Sequence, residues 1–281
     1  MHIGVLSNCA DWSLDAATMA RMVESAGVES LHFGEHSHIP ASRESPYPGS
    51  PDGSLPTGYE RTLDLFVALT QAAMATSELR LGTGICQIVQ RDPIITAKAI
   101  ASVDHISGGR MLLIVGSSWN IEEMRNHGTD PATRHDLTEE RALAMREIWS
   151  QDEATFHGRF VNFERIWSWP KPVQDPMPIY IGGNSAGAEE RALRAGTGWA
   201  PLHVPGMPDR VRAFVDAAVV DGVETSVIGV AGELTPQTIE EYAEAGADWW
   251  LHYIPMTADE GEFARGIEDL VAVRAQFSGA A

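Results

Sequence analysis

Cysteine is nearly absent from this 281-residue chain. The two thiols, Cys9 and Cys86, are too few for a disulfide framework and fit a reducing cytoplasm. Positive charge is scarce as well: 20 Lys and Arg stand against 39 Asp and Glu, a formal net charge of -19. Such a surface repels phosphate backbones and anionic lipid, so no nucleic-acid or membrane partner is expected. No apolar run approaches the ~18 residues of a membrane span. The opening MHIGVLSNCADW has neither a basic start nor a long apolar core, so no signal peptide is expected. Long runs of like charge are also missing, and with them any mark of a disordered tail.

What is present is a rhythm. Strand patterns fall at HIGVLS (2–7), SLHFGE (30–35), LRLGTGI (79–85), RMLLIVG (110–116), MPIYIGG (177–183), GWAPLHV (198–204), TSVIGV (225–230) and DWWLHYI (248–254). Helical patterns follow them at 14–27, 61–76, 93–109, 136–149, 186–196, 207–222, 235–246 and 259–277. The third helix opens on Pro93 and closes on Gly108 and Gly109, as helix-end chemistry predicts. Eight units of this kind, with strands apolar on both faces, predict a (β/α)8 TIM barrel as one domain over 1–281. A doubly wound open sheet is the other fold considered, but the first strand lacks the G-x-G-x-x-G that would follow it.

Two insertions interrupt the rhythm. The segment 41–60 follows strand 2 and is rich in Pro, Gly and Ser; 150–176 lies between strands 4 and 5. In a barrel, loops after strands build the active-site face, which makes 41–60 a candidate lid. Strand 3 carries glycines at 82 and 84, which point to a bulge or to something approaching the backbone closely.

The strand ends bring together Ser7, Asn8 and Cys9; Glu35, His36, Ser37 and His38; Gly84 to Gln87; Gly116 to Asn120; Gly182 to Ser185; His203; Glu233; and His252 with Tyr253. The turns GSSWN and GGNS expose successive N–H groups, and the second runs into a helix start near Ala186. Both are candidate anion cradles that would hold a phosphate without Lys or Arg. The H-x-H of His36 and His38 raises a metal-dependent hydrolase, but no strand-end Asp completes the set, and no metal is expected. His2, His105, His127, His135 and His157 are read as capping or surface residues.

The segments SLHFGEHSHIP (30–40), LGTGICQIVQRDPIITAK (81–98), VDHISGGRMLLIVGSSWNIEE (103–123), FHGRFVNF (156–163) and KPVQDPMPIYIGGNS (171–185) resemble one family. It is the bacterial luciferase-like superfamily, in its short branch of oxidoreductases dependent on the deazaflavin coenzyme F420. The likeness runs from strand 1 to about residue 204 and is compatible with the family to the end. The D-x-x-S-x-G-R run from Asp104 to Arg110 and the aromatic-x-Gly-x-aromatic run at Phe156–Phe160 are its most specific marks. The Asp104–Arg110 pair is read as a tie between a helix end and a strand start.

The resemblance implies a flavin or deazaflavin ring in the barrel mouth. It implies a cis peptide at Gly84–Ile85 under the ring, with Thr83 beside it, and a catalytic His36 with Glu35 orienting it or serving as a second acid. It assigns the ribityl chain and phosphate to Gly116, Ser117, Ser118, Gly182, Gly183, Asn184 and Ser185, and counts Trp119 as cofactor-binding and as shaping an apolar substrate pocket with Trp12 and the lid. Trp12, Cys86 and His252 are placed in the substrate pocket. The chain departs from its relatives at His32, where many have Trp, at Glu35, where many have Asp, and at Ser118, where a second glycine is usual. Sugar-phosphate-oxidising relatives carry Glu at the place of Trp119, which disfavours that substrate class. The implied activity is hydride transfer between reduced F420 and a small organic substrate. One alternative is an FMN-dependent monooxygenase using O2 and fed by a flavin reductase, although the Asp-Arg-Tyr-type run of the larger FMN members is absent from 127–140. Another is a flavin-binding barrel without turnover. A homodimer through outer helices 2 and 3 is also expected.

Overall fold

Short apolar runs, each followed by a capped helix, set the architecture. The computed structural model describes residues 1–218, 223–229 and 234–278. Its first half holds β1 (His2–Ser7), α1 (Ala16–Ser25), β2 (Ser30–Phe33), α2 (Leu65–Ala75), β3 (Arg80–Thr83), α3 (Pro93–Ser107) and β4 (Met111–Val115). Next come α4 (Ile121–Asn126), α5 (Arg134–Ser150), β5 (Ala154–His157) and β6 (Asn162–Ile166). The rest comprises β7 (Ile179–Gly182), α6 (Ala188–Ala195), β8 (Gly198–Ala200), α7 (Met207–Ala217), β9 (Glu224–Gly229), α8 (Pro236–Glu244), β10 (Trp249–Tyr253) and α9 (Glu260–Ser278). Eight of these strands close a barrel in the order β1-β2-β3-β4-β7-β8-β9-β10 and back to β1, parallel at every pairing. This is a (β/α)8 barrel.

Several strands are shorter than the apolar patterns. The run 198–204 is regular only over β8, with Leu202 rejoining β9 by a single bridge to Ile228. Val230, Glu233 and the end of the 207–222 pattern lie outside the described residues. Two elements were not anticipated: the helix α4, and the antiparallel β5–β6 hairpin inside the 150–176 insertion.

Side-chain alternation divides the core into two layers. Leu6, Leu112, Ile114, Tyr180, Ile228 and Leu251 fill the barrel. Their strand neighbours, such as Val5, Leu113, Val115 and Trp250, pack with the helices. The glycine at 82 belongs to this packing. It sits opposite His32 in the β2–β3 register, and a Cβ there would fall 1.9 Å from His32 Nδ1. The close neighbour is therefore an imidazole inside the barrel, not a ligand.

His32 is fully buried, between Ser30 Oγ at 3.1 Å and the Thr83 carbonyl at 3.3 Å. Burial lowers its pKa from 6.5 to about 4. Below pH 6.5 the unfolded chain binds a proton that the folded ring refuses, so stability falls as the pH drops from 6.5 towards 4. At ~1.4 kcal/mol per unit the full loss is about 3 kcal/mol. Urea unfolding at pH 7, 6 and 5 checks this prediction. An His32→Asn variant is expected to have a shallower slope, and an unchanged slope refutes it.

Asp104 and Arg110 do not bond to each other. Fully buried Asp104 accepts from the N–H groups of Met111, Val173 and Gln174 and from the Gln174 side chain at 2.7–3.3 Å. Arg110 donates to the carbonyls of Ala73, Thr76, Leu79 and Ser107. Each ties the α3–β4 turn to a different neighbour.

Candidate active site at the barrel mouth

The C-terminal strand ends surround a cavity of about 540 Å³, within the range of about 300–1,000 Å³ common for small-molecule sites. Glu35, His36, Gly84, Ile85, Gly116, Ser117, Ser118, Trp119, Gly182, Gly183, Asn184 and Ser185 all line it. The peptide between Gly84 and Ile85 is cis. The 41–60 insertion contributes Tyr47, Pro48, Gly49 and Tyr59 to the wall.

Four expected site residues lie elsewhere. The Thr83 hydroxyl is engaged by the backbone of Ile114, donating at 2.6 Å and accepting at 2.8 Å. Cys86 is buried in the helix-facing core, where desolvation pushes its thiol well up. Trp12 packs under Gly58, where a Cβ would fall 2.2 Å from its indole nitrogen. His252 occupies the helix-side face of β10, while its neighbour Tyr253 lines the cavity. One step along a strand reverses the face.

At the aromatic end, His36 is the hub. Its Nδ1 lies 2.6 Å from Glu123 Oε2, with side-chain exposures of 3% and 0%. The Trp119 indole N–H donates to His36 Nε2 at 3.2 Å. Tyr59 and Trp119 pack at 5.1 and 5.4 Å from the imidazole, and Tyr47 backs both. Glu35 does not orient His36. Its carboxylate pairs with Arg91 and accepts from Gln87 N–H at 2.8 Å. Glu123 takes that place instead. Burial raises its pKa, but the hydrogen bond from His36 and the bond from Ser37 N–H outweigh this, and the net shift is downward. The sequence did carry a signal for Glu123. Asn120 accepts from Glu123 N–H at 3.1 Å and caps α4. An N-cap Asn with Glu three residues on marks a helix start.

The opposite end is polar and cationic. Ser118 has φ 58°, in the left-handed region that favours glycine. Gly183 has φ +110° and nothing within 4 Å of its absent Cβ. Among the described residues, no partner takes the N–H groups of Ser118, Asn184 and Ser185. Arg134 and His135, from the start of α5, also line the cavity, and His135 contacts Ser117 Oγ at 3.1 Å. Arg191 donates to Ser185 Oγ at 2.7 Å. The expectation of an anion cradle without Arg is thus corrected, and His135 is a wall residue rather than a surface one. Free amides, hydroxyls and a guanidinium fit the anionic tail of a cofactor, and the glycine at 183 leaves room for it. Among the described residues, no three His, Cys, Asp or Glu side chains gather as a metal site.

An α/β barrel whose mouth carries free backbone amides and a guanidinium at one side and aromatic rings around a buried imidazole at the other defines an enzyme class rather than a single reaction. The chain belongs to the luciferase-like monooxygenase family, whose model matches residues 14–276, and it is an oxidoreductase of that family. It is 36% identical over 282 residues to an uncharacterized protein of Mycobacterium tuberculosis, covering 97% of this chain and 98% of that one. An FMNH2-dependent dimethylsulfone monooxygenase of Pseudomonas putida is 39% identical over 107 residues, 36% of this chain and 29% of that one. A solved F420-dependent secondary alcohol dehydrogenase, in complex with an F420–acetone adduct, shares the fold with TM-score 0.74 at 18% identity, covering 97% of this chain and 98% of that one.

Proposed function

We propose that the protein binds coenzyme F420 in this cavity and exchanges a hydride with a small organic substrate. The observation that carries the reading is the polarity of the single mouth: an anion-binding end at Ser118, Asn184, Ser185 and Arg134, and an imidazole among aromatic rings at the other. When bound, the deazaflavin supplies or takes the hydride. The chain supplies everything else. Ile85, with Gly84 beside it, forms the floor for the ring. Tyr47, Tyr59, Trp119 and Tyr253 exclude water from the reacting centre. His36 holds or moves a proton at Nε2, the role an imidazole commonly takes in general acid–base catalysis.

A binding titration with F420 and with FMN tests the choice of cofactor. Tight F420 binding is expected. FMN binding with none for F420 replaces the proposal by an FMN monooxygenase served by a flavin reductase. Arg134→Ala is expected to weaken F420 binding by about 10–100-fold, the range for a hydrogen bond to a charged group. An unchanged dissociation constant removes Arg134 from the tail site.

A homodimer is part of the proposal. Val67 and Met74 on α2 and Ile95 on α3 are 64%, 74% and 67% exposed, respectively, and the two helices pack side by side. Apolar side chains on neighbouring outer helices favour a second copy over water. Light scattering is expected to return twice the chain mass, and Val67→Glu with Met74→Glu to halve it. A monomeric native protein refutes this.

A further inference from the structure

We infer that Glu123 is a positioning residue that fixes His36 in its Nδ1–H tautomer, so that Nε2 meets the reacting atom as a proton acceptor. The inference rests on the reading of His36 as the acid–base group, and it assigns a role to a residue outside the cavity wall.

Two constraints give the same tautomer. A carboxylate only accepts, so the 2.6 Å contact between Glu123 Oε2 and His36 Nδ1 requires the proton on Nδ1. An indole N–H only donates, so the 3.2 Å contact from Trp119 requires a lone pair on Nε2. The Gln87 side-chain nitrogen donates to the Glu35 carbonyl and, at 3.3 Å from Nδ1 and 3.4 Å from Nε2, does not choose between the two ring nitrogens. His36 and Trp119 line the cavity, whereas Glu123 lies behind them. Nδ1 therefore faces the protein, and Nε2 faces the group now occupied by Trp119, which a substrate hydroxyl or water can displace.

Glu123 is held so that only one oxygen is available. Its Oε1 accepts from Ser37 N–H at 2.9 Å and from Ser37 Oγ at 3.2 Å. Having spent its proton there, the Ser37 hydroxyl accepts from His127 Nε2 at 2.6 Å and His38 Nδ1 at 2.9 Å. His38 Nε2 in turn faces Asn126 Nδ2 at 2.8 Å. The chain of donors runs one way, from the surface histidines to Oε1, which leaves Oε2 for His36.

Nitrogen-15 NMR of histidine-labelled protein, with no cofactor added, reads the tautomer directly. In the wild type, His36 is expected to show a protonated Nδ1 and a bare Nε2. In Trp119→Phe the same tautomer should persist, because Glu123 alone imposes it. In Glu123→Gln the side-chain amide can donate to Nδ1, and the signal should move towards the Nε2–H form. A wild-type His36 protonated at Nε2, or a tautomer switch in Trp119→Phe, overturns the inference, even where Glu123→Gln fails to fold. For turnover, reduction of oxidised F420 by cyclohexanol serves as the probe, in which the hydride goes to the deazaflavin and the hydroxyl proton to Nε2. There Glu123→Gln should lower kcat about 10²–10⁴-fold with KM little changed, the effect of a wrong tautomer in a positioned imidazole. A switched tautomer with full turnover defeats the proposed role of His36, while the tautomer assignment itself stands.

Discussion

His36→Ala is expected to bind F420 as the wild type does and to lose about 10²–10⁴ in turnover, the usual contribution of a positioned acid–base group. The imidazole touches none of Ser118, Asn184, Ser185 and Arg134, so the proposed tail contacts should survive its removal. Of its own contacts, Trp119 at 3.2 Å lies on the reacting side and Glu123 at 2.6 Å lies behind the ring. Fluorescence titration measures the first half of the expectation. Reduction of oxidised F420 by cyclohexanol, in which Nε2 takes the hydroxyl proton, measures the second. Unimpaired turnover in the variant would show that the proton moves through another group, and binding without turnover in the wild type would favour a barrel that only holds its cofactor. His36→Ala also leaves Glu123 buried without its partner, so the same preparation should be checked for folding by circular dichroism.

Gly183→Val is expected to abolish cofactor binding, raising the dissociation constant at least about 100-fold, or ~2.7 kcal/mol. At φ +110° a β-branched residue is strained, at a cost of about 1–3 kcal/mol. Because nothing lies within 4 Å of the position of the absent Cβ, the new side chain meets open space, where the cofactor tail is proposed to lie. The barrel itself should persist, since a Cβ at 183 meets no other atom within 4 Å. Tight F420 binding by a folded Gly183→Val protein would move the tail away from the β7 turn.

His36, Gly116, Gly182 and Gly183 were legible because each directly follows an apolar strand run, where a barrel places its site. The missed residues came from other kinds of places. Glu123 rides on a six-residue helix, too short for hydrophobic periodicity to reveal, and meets His36 across 87 positions of sequence. Arg134 and His135 begin α5, a loop and a helix away from the strand end they serve. Only closure of the barrel brings such groups together, since no local pattern encodes a distance between separate strand–helix units.

The errors at Thr83 and His252 have another cause. A barrel strand is apolar on both faces, so its sequence does not show which residues point inward. Tyr253 and His252 were equal candidates until the β10 register with β1 and β9 decided between them. Gly82 was likewise visible as an oddity, but its meaning, room for the His32 ring, depends on the pairing of β2 with β3.

By itself, then, the sequence determined the alternation of strands and helices, the (β/α)8 closure it implies, and the glycine turns and imidazole at the strand ends. These follow from local periodicity and backbone chemistry, which a linear chain displays directly. The tertiary structure alone decided which carboxylate holds His36, which cations face the glycine-rich turns, and which strand residues face inward. Those choices depend on distances between segments far apart in the chain and on the register of a sheet buried on both sides.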